Sequence, residues 1–532
     1  MSKKALGIDL GTTNSAMAIV KNDQPEIIPM GANDEAVLRS ALYFSSIGGH
    51  QRTFFGKDAI NRGTETGKIE FFKQDFKRDI GKSVESETPD HTRLNSVILS
   101  ALILQQFKKR ADIVAQELHL TEGISDAVIT VPAYFTSEQR AATKNAGILA
   151  GLNVLRIINE PTAAAISYAH KKNISGNILV YDLGGGTFDV TVMRVDHYQY
   201  DILATDGNHR LGGLDFDKRI VKFLKQKLEE QGLNMTGLTP KEEVQLRYQA
   251  EKIKIALSVE PVAFYERWTK SGEYGVEITQ EDFRAITEDL LKDTQIKVQS
   301  TLQASQLEWS QIDHILLVGG STRMLMVRQM IRELSGQEPR YDLNPDTIVA
   351  EGASIIADLL VNQKVSFNES HYGEGMPQDH VVVRDVTSQG IGLLFRKTQQ
   401  KTYPFGGDYY NSVVVPRNTS IPATVEKDVF AVVDGQDNFG LRVTEGNSAN
   451  PLDVKIILQE VVPVGYKHRK GNKIATVCYA FDPEQIIHVT IYDANRQVIL
   501  KEFSLNTTFS QVRDERSSDL SELKALFDRF KP

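Results

Sequence analysis

The chain has 532 residues, of which 41% are apolar and 24% charged, and its formal net charge is −8. At roughly 150 residues per domain, this length predicts about three or four domain-sized units. The negative charge argues against a nucleic-acid partner, because no basic excess is available to neutralise phosphates. The single cysteine, Cys478, excludes an internal disulfide, and no apolar run approaches the roughly 18 residues of a membrane-spanning helix. We therefore expect a globular cytoplasmic protein.

From the start of the chain to about residue 370, short apolar runs alternate with longer amphipathic stretches. Four of the runs have the length and composition of buried strands: KALGIDL, DAVITVP, NILVYDL and HILLVGG. Two stretches, at residues 94–118 and 216–231, carry apolar residues at helical spacing. Strands that alternate with helices predict a layered α/β architecture.

The character of the sequence changes after residue 367. Residues 368–380, NESHYGEGMPQDH, combine Gly, Pro and charged residues and predict a domain boundary. The short apolar run VVVRDV follows at residues 381–386. From about 387 to 508 alternating apolar stretches are broken by Pro and Gly turns, which is typical of an all-β domain. The last residues place Leu520, Leu523, Leu526 and Phe530 on one face of a short predicted helix.

Two glycine-containing segments resemble each other, IDLGTTNS at residues 8–15 and YDLGGGTFDV at residues 181–190. Each follows an apolar strand, so the pair suggests two similar half-domains that face one another. Glycines let backbone N–H groups approach an anion, and carboxylates at strand ends can hold Mg²⁺ or its waters. Two such turns could grip a polyphosphate from both sides. Taken alone, each also fits a tight β-hairpin with Asp-Gly turn chemistry.

A third segment, ILLVGGSTRMLMVRQMIREL at residues 315–334, predicts a strand, a Gly-Gly turn and an amphipathic helix. A ligand could approach Gly319 and Gly320 closely, and the planar guanidinium of Arg323 could stack on a base. An ordinary β-to-α turn explains the same pattern. Glu160 and Pro161 in RIINEPTAAAISY likewise form good helix-start chemistry without any ligand.

The segments described so far belong to a longer series of motifs. In chain order these are GIDLGTTNS, FKRDIG, ITVPAYFTSEQRAATKNAG, RIINEPTAAAISYA, YDLGGGTFDVTV, LGGLDFD, ILLVGGSTR and NPDTIVAEGA. Taken together, they closely resemble the ATPase domain of DnaK-type heat-shock chaperones, on the fold shared with actin and hexokinase. The resemblance covers about the first 360 residues, and through VVVRDV, PRNTSIPA and IIHVTIYD it extends more weakly to about residue 508. The shortened, divergent C-terminal part resembles the HscC branch of that family.

The resemblance implies an α/β, actin/hexokinase-like two-lobed ATPase domain, followed by an all-β sandwich domain and a short C-terminal helix. The nucleotide-binding ATPase domain would span residues 1–379, with lobe I at about 1–172 and lobe II at about 173–360. A hydrophobic interdomain linker would occupy residues 380–386 and a substrate-binding β-sandwich residues 387–508. Residues 509–532 would form a short helix, the remnant of the family's helical lid.

The resemblance also implies roles for particular residues around ATP or ADP, Mg²⁺ and K⁺. Catalytic roles would fall on Lys77, Glu160, Asp182 and Thr187. Mg²⁺ would be held mostly through waters by Asp9, Glu160, Asp182 and Asp189, and K⁺ would lie near the three aspartates. The nucleotide would contact Gly11, Thr12, Thr13, Asn14, Gly184, Gly185, Gly186, Thr187, Gly212, Gly213, Glu251, Lys254, Ser258, Gly319, Gly320, Ser321, Arg323 and Asp346.

Two further groups of residues match positions outside the nucleotide site. Interdomain and allosteric roles would fall on Pro132, Arg140, Arg156, Asn159 and Asp385. The peptide groove would include Phe430, Phe439 and Leu441, although the same three residues also fit the core of a β-sandwich.

The sequence departs from the family pattern in ways that bear on function. Ile255 stands where a basic residue usually stacks on adenine, which predicts weaker nucleotide binding. Only a short helix replaces the long lid, so we expect a peptide to be released quickly.

The function implied is that of an ATP-dependent molecular chaperone, in which hydrolysis switches the β-domain between low and high affinity for extended apolar peptide segments. Its partners would be unfolded polypeptides, a J-domain co-chaperone and a nucleotide exchange factor, with no nucleic acid and no membrane. Two alternatives share the fold: an actin-like scaffold ATPase whose β-domain recruits partners, and a small-molecule kinase.

Overall fold

The computed structural model describes residues 3–30, 35–48, 50–270, 272–340, 342–367, 380–397, 404–481, 486–505 and 520–530. No helix among these residues is long and apolar enough to cross a membrane. The predicted boundary at residues 368–380 lies outside the described residues except for His380, and so does the predicted C-terminal segment up to residue 519. Helices and strands are numbered along the chain.

Lobe I is built by the first part of the α/β region. Its elements are β1 (Leu6–Asp9), β2 (Asn14–Lys21), β3 (Gln24–Ile27), β4 (Leu38–Arg39), β5 (Ala41–Ile47), β6 (His50–Phe55), α1 (Gly56–Asn61), β7 (Phe72–Gln74), β8 (Glu85–Glu87), β9 (Arg93–Asn95), α2 (Ser96–Glu117), β10 (Asp126–Val131), α3 (Ser137–Leu149), β11 (Asn153–Asn159) and α4 (Glu160–Lys172).

Lobe II follows in the sequence, and one of its elements, α10, returns to pack on lobe I. The elements are β12 (Gly176–Leu183), β13 (Phe188–Asp196), β14 (Gln199–Asn208), α5 (Gly213–Glu230), α6 (Pro240–Ala256), β15 (Val262–Thr269), β16 (Gly272–Thr279), α7 (Gln280–Ile286), α8 (Glu288–Ser305), β17 (His314–Val318), α9 (Leu325–Ser335), α10 (Ile348–Val361) and β18 (Val365–Phe367).

The remaining elements are nearly all strands. They are β19 (Val381–Arg384), β20 (Ile391–Arg396), β21 (Tyr409–Val415), β22 (Ala423–Phe430), β23 (Gln436–Glu445), β24 (Lys455–His468), β25 (Lys473–Phe481), β26 (Ile487–Asp493), β27 (Ile499–Leu505) and the helix α11 (Leu520–Phe530).

Each lobe contains one large mixed sheet whose central hairpin carries a glycine turn. In lobe I the strand order is β11-β10-β1-β2-β3, with β1 parallel to β10 and antiparallel to β2. In lobe II the order is β17-β12-β13-β14-β19-β18, with β12 parallel to β17 and antiparallel to β13. The two predicted half-domains therefore share one arrangement, a hairpin paired on its first strand with a parallel neighbour.

The central strands of both sheets are buried, which explains why their segments appear in the sequence as continuous apolar runs. Every residue of β10, from Asp126 to Val131, is buried, because helices cover both faces of such a sheet. A 22-residue helix, α2, covers the lobe I sheet. It begins at Ser96, where the side chain of Asn95 accepts a hydrogen bond from the Ile98 amide.

The strands after β19 form two four-stranded antiparallel sheets, β21-β20-β23-β24 and β22-β25-β26-β27. Their inner faces share one apolar core, with Val443, Val477 and Val489 fully buried. This confirms the predicted fold class, a two-lobed α/β unit with an all-β sandwich and a short C-terminal helix.

The apolar run VVVRDV forms the strand β19, which lies inside the lobe II sheet. It is parallel to both β14 and β18, and Val382 is opposite Gln199 and Ser366. Val381, Val382 and Val383 are all buried. The chain that leads into the sandwich is therefore part of lobe II in this conformation.

A close approach between helices predicts one stability effect. Gly352 of α10 lies against α4, and a Cβ there would be 3.0 Å from the Cα of Ala163 and closer still to its carbonyl group. Helix propensity alone favours alanine over glycine, but this contact forces the helices apart. We expect Gly352→Ala to lower the free energy of unfolding by about 1–3 kcal/mol, as overpacked cores do.

Chemical denaturation of the purified chain measures this effect. Gly237→Ala is the matched control, because no atom lies within 4 Å of the added methyl group and the backbone there is compatible with alanine. An unchanged midpoint for Gly352→Ala would contradict the tight helix contact.

Candidate nucleotide site and interdomain interface

The two glycine hairpins face each other in direct contact between the lobes. A Cβ at Gly186 would lie 2.5 Å from Oγ1 of Thr12, and one at Gly185 would overlap Oγ1 of Thr13. Thr13 Oγ1 is buried and has no hydrogen-bond partner. A buried hydroxyl without a partner is costly, so this group is suited to an oxygen of a bound anion.

Further loops of lobe II converge on the same place. Gly184 O accepts hydrogen bonds from the Gly213 amide at 2.9 Å and from Ser321 Oγ at 2.9 Å. A Cβ at Gly213 would lie 2.5 Å from Ser321 Oγ and 2.9 Å from Lys254 Nζ. The predicted phosphate residues and the predicted adenosine residues are thus brought together around one cleft.

Three predicted aspartates, Asp9, Asp182 and Asp189, lie at strand ends in this cleft. Glu160, at the start of α4, and Lys77, in a short turn of helix, lie beside them. Lys77 is 3% exposed, and its Nζ donates to Oε1 of Glu160 at 2.8 Å. Burial, with the negative charge of Glu160, raises the pKa of Asp9 to about 7 and that of Asp189 to about 8. The same causes raise the pKa of Asp182 well above its ordinary value.

Burial is the largest cause of these raised pKa values and the neighbouring carboxylates add to it, and a bound cation would oppose both effects. Across the described residues, no three His, Cys, Asp or Glu side chains form a direct ligand set. Carboxylate oxygens are the ligands that Mg²⁺ and its bound waters prefer in proteins.

The predicted adenosine residues occupy the outer part of the cleft. Arg323 is half exposed and forms a 2.7 Å ion pair with Asp346. Glu251 accepts two hydrogen bonds from Arg39 of lobe I, at 2.8 and 3.0 Å. Ile255 is 60% exposed on the same helix, so an apolar side chain is available beside the base position.

Asn14, Ser258, Gly319 and Gly11 also lie around this site. Asn14 Oδ1 accepts from Arg39 at 3.4 Å, and Ser258 Oγ donates to the Lys254 carbonyl at 3.1 Å. A Cβ at Gly319 would lie 2.8 Å from Oδ1 of Asp182, and the Gly11 amide donates to Ser15 Oγ at 3.1 Å. Gly212 is the N-cap residue before α5, and its amide donates to the Asp215 side chain.

Sequence reasoning missed a residue that joins the two lobes. Arg78, next to Lys77, donates from Nε to the Gly186 carbonyl at 3.0 Å and forms an ion pair with Asp215. The motif FKRDIG contained it, but only Lys77 had an assigned role. Arg78 connects a turn of lobe I to the glycine turn of lobe II.

Most of the predicted interdomain residues form one hydrogen-bonded chain. Arg140 donates to Asn159 Oδ1 at 2.5 Å, and Asn159 Nδ2 donates to Asp385 Oδ2 at 3.0 Å. Pro132 begins the turn that leads to α3, where the Phe135 amide donates to its carbonyl. The guanidinium of Arg156 lies 3.6 Å from the ring centre of Phe367.

The segment between β10 and α3 contacts the acidic site on one side and the sandwich on the other. The Tyr134 amide donates to Asp189 Oδ1 at 2.9 Å. The carbonyl of Tyr134 accepts from Gln389 at 3.4 Å, and that of Phe135 accepts from Ser388 at 3.3 Å. Residues 132–135 therefore connect a predicted metal carboxylate to the start of the sandwich.

Two contacts between the docked sandwich and the lobes involve residues that no sequence motif had marked. Glu445 Oε1 accepts from both the amide and the hydroxyl of Ser137, at the N-terminus of α3, each at 3.0 Å. Arg417 forms a 2.7 Å ion pair with the buried Asp206 of lobe II. Partners so far apart in the chain leave no local pattern from which they could be predicted.

The three predicted peptide-groove residues have different environments. Phe439 and Leu441 are buried in the core of the sandwich, at 7% and 1% exposure, whereas Phe430 is 52% exposed. Of the three, only Phe430 offers an apolar surface to a ligand in this conformation.

The fold and the site define a two-lobed nucleotide-dependent protein with an attached β-sandwich. The chain matches the family model described as Hsp70 protein over residues 5–518. It is 35% identical over 499 residues to the chaperone protein DnaK of Metamycoplasma hominis, covering 92% of this chain and 77% of that protein.

A second similar protein is the chaperone protein DnaK of Thermosipho melanesiensis, 36% identical over 507 residues, with 92% and 79% covered. A third, the DnaK of Thermosipho africanus, is 35% identical over 503 residues, with 92% and 77% covered. The chain belongs to the Hsp70 family, and it is an ATPase, as members of that family are.

The contact between Arg78 and the glycine turn predicts an effect on nucleotide affinity. Arg78→Ala removes the donor to Gly186 and leaves Asp215 with the exposed Lys218 as its remaining cation. We expect the Kd for ATP to rise about tenfold, which corresponds to ~1.4 kcal/mol. Calorimetric titration measures it, with Lys218→Ala as the control. Equal affinities for wild type and Arg78→Ala would contradict the bridging role.

The Glu445 contact predicts that docking of the sandwich depends on pH. Burial raises the pKa of Glu445 above its ordinary value, while the Ser137 hydrogen bonds and the charge of Arg140 oppose that effect. The docked form then binds the proton more tightly than the undocked form, so docking is favoured in acid. Its stability falls as the pH rises above about 4.5, the ordinary pKa of a glutamate.

Energy transfer between dyes on lobe I and the sandwich measures the docked fraction against pH. Glu445→Gln keeps the acceptor for Ser137 and should flatten the curve at its acidic end. Glu502→Gln, at an exposed position of the sandwich, should leave the curve as in wild type. A Glu445→Gln curve that matches wild type would assign the pH dependence to other groups.

Proposed function

We propose that this protein is an ATP-dependent chaperone of an HscC-like branch of the Hsp70 family. In this proposal ATP hydrolysis changes the affinity of the β-sandwich for extended apolar segments of unfolded proteins. The observation that supports it most strongly is the pairing of two features in one conformation. The glycine hairpins close on each other, and strand β19 lies in the lobe II sheet with the sandwich docked behind it.

The division of the chain is part of the proposal. Residues 1–379 form the ATPase unit, residues 380–386 the linker, residues 387–508 the substrate-binding sandwich and residues 509–532 the C-terminal helical segment. The apolar clusters support the boundary before the sandwich, because Val386 still belongs to a cluster of the ATPase unit whereas Ile391 belongs to the separate core of the sandwich.

The site residues support binding of a polyphosphate between the hairpins. Turns 11–14 and 184–187 supply backbone amides and hydroxyls, and the unpartnered Thr13 Oγ1 is available to a phosphate oxygen. Mg²⁺ with its waters would sit beside Asp9, Glu160, Asp182 and Asp189, and K⁺ near the aspartates. Bound there, Mg²⁺ offsets phosphate charge, which is a main requirement of phosphoryl transfer.

Lys77 is the residue that we assign to charge stabilisation and positioning of the attacking water. Glu160 holds its ammonium group at 2.8 Å and the ring of Phe135 lies 5.4 Å away. Burial of the ion pair excludes bulk solvent, so the charge acts through a weakly screening medium. Thr187 and Asp182 border the same space and complete the proposed catalytic set.

Hydrolysis is proposed to reach the sandwich through the interdomain contacts. Loss of the terminal phosphate removes a group that both glycine hairpins would contact. The lobes are then held together less strongly, so the contacts at residues 132–135 and at Asp385 can separate. Nucleotide shifts this balance only by binding the docked and undocked forms differently. A J-domain protein would stimulate hydrolysis and an exchange factor would release ADP.

Weak trapping of peptide is also part of the proposal. Helix α11 packs on lobe I and so does not cover the sandwich in this conformation. A peptide held by backbone hydrogen bonds and a few apolar pockets would leave an uncovered groove quickly.

Single-turnover hydrolysis tests the site assignment. Lys77→Ala should slow hydrolysis by about 10²–10³-fold, the effect of removing one preorganised charge donor, and should leave ATP binding largely intact. Lys82→Ala, which removes a partly exposed lysine of the same segment, should hydrolyse ATP as wild type does. Wild-type rates for Lys77→Ala would refute the assignment.

The same measurement with an extended apolar peptide separates the candidate functions. A chaperone should bind the peptide and change its hydrolysis rate when the peptide is present. An active ATPase that neither binds the peptide nor responds to it would instead support a scaffold, and ATP-dependent sedimentation would then be expected. Transfer of the phosphoryl group to a sugar or a carboxylic acid would identify a kinase.

A further inference from the structure

The C-terminal helix α11 presents one apolar face, and that face is buried in lobe I. Leu523, Phe527 and Phe530 follow each other at intervals of four and three residues, which places them on one side of a helix. Their exposures are 2%, 1% and 3%. The positions that flank this face or lie opposite it, such as Glu522, Lys524 and Asp528, are exposed.

The receiving surface belongs to the core of lobe I. The buried face of α11 is part of the same apolar cluster as Leu6 and Ile8 of the central strand. The ring of Phe530 meets that of Phe44 edge-on, with 5.7 Å between their centres. Helix α11 also contacts α2, α3 and β6, so it completes a core rather than lying on a finished surface.

A polar contact fixes the end of the helix. Arg529 forms a 3.0 Å ion pair with Asp90 and donates to Thr92 Oγ1 at 3.2 Å. Both partners lie in the turn between β8 and β9. The helix is therefore held by apolar burial along its length and by an oriented pair near its last turn.

The β-sandwich is thus attached to both lobes through its two ends. At its start, β19 lies in the lobe II sheet with three buried valines. At its end, β27 is followed by residues 506–519 and then by α11 in lobe I. The two attachments lie on different lobes of the ATPase unit.

We infer that α11 is a fixed element of lobe I that keeps the C-terminal end of the sandwich attached there in both nucleotide states. It is then an anchor and not a cover for a peptide groove. When β19 leaves lobe II, the sandwich stays within the reach of residues 506–519, about 50 Å at full extension. A second tether raises the effective concentration of the sandwich at its docking surface and favours renewed docking.

This inference rests on the proposed function only for the existence of an undocked state. Spin-label distances test the two separately in a Cys478→Ser background. One pair joins Lys524→Cys on the exposed side of α11 to Gln116→Cys on α2. A second pair joins Gln116→Cys to Asp437→Cys in the sandwich. Both are measured with ATP, with hydrolysis blocked by Lys77→Ala, and with ADP.

The first distance should be the same with both nucleotides, and the second should lengthen and broaden with ADP. Movement of α11 away from α2 with ADP would overturn the anchor, whatever the sandwich does. A sandwich that never moves, with α11 in place, would contradict the proposed switch and leave the anchor standing.

A second experiment removes the anchor. Phe527→Asp places a charge in the buried face, and Lys524→Asp is the control at an exposed position of the same helix. We expect Phe527→Asp to lengthen the first distance and to slow docking after ATP addition about tenfold, while the control matches wild type. Docking at the wild-type rate with α11 displaced would show that the second tether has no effect.

Should Phe527→Asp fail to fold, cleavage gives the same information. A protease site inserted within residues 506–519 of the otherwise native chain separates α11 covalently from the sandwich. The anchored helix should stay with the ATPase unit through size-exclusion chromatography in ADP. Its elution as a free peptide would overturn the inference.

Discussion

The contact between the two glycine hairpins is the constraint on which the rest of this structure depends. Gly185 and Gly186 meet Thr13 and Thr12 so closely that no side chain would fit between them. Each hairpin is rooted in a central strand of its own lobe, so their contact fixes how the lobes face each other. Arg78 and the pair of Arg39 with Glu251 span the same cleft and support that closed arrangement.

Closure of the lobes also determines where the sandwich can bind. Its contacts fall on both lobes, with Glu445 on Ser137 in lobe I and Arg417 on Asp206 in lobe II. A change in the angle between the lobes therefore changes the distance between Ser137 and Asp206, the two partners of the docked sandwich. Residues 132–135 add a direct physical connection, because their backbone contacts Asp189 and also the start of the sandwich.

Local pattern predicted most of the fold and the two glycine hairpins, whereas the assignment of individual residues to a nucleotide site came from the resemblance to a family. Each of the two hairpins combines apolar strands with an Asp-Gly turn, so β1–β2 and β12–β13 were recognisable from the sequence. The amphipathic spacing of the C-terminal helix was recognisable as well. The structure brings the predicted loops around one cleft. Long-range ion pairs were not predictable from the sequence. Arg417 and Asp206, for example, come together only when the sandwich packs against lobe II. The binding place of α11 could not be predicted for the same reason. The amphipathic spacing predicts that one face of the helix is buried, but it does not indicate which surface buries that face.

If nucleotide controls docking of the sandwich through the closed hairpins, β19 should leave the lobe II sheet more often with ADP than with ATP. Amide hydrogen exchange measures this, because the Val381 and Val382 amides donate to the carbonyls of Lys364 and Tyr198 only while the strand lies in that sheet. We expect slow exchange of residues 381–384 with ATP and exchange at least about tenfold faster with ADP, a difference of ~1.4 kcal/mol in opening. Equal protection with ATP, with ADP and without nucleotide would contradict it.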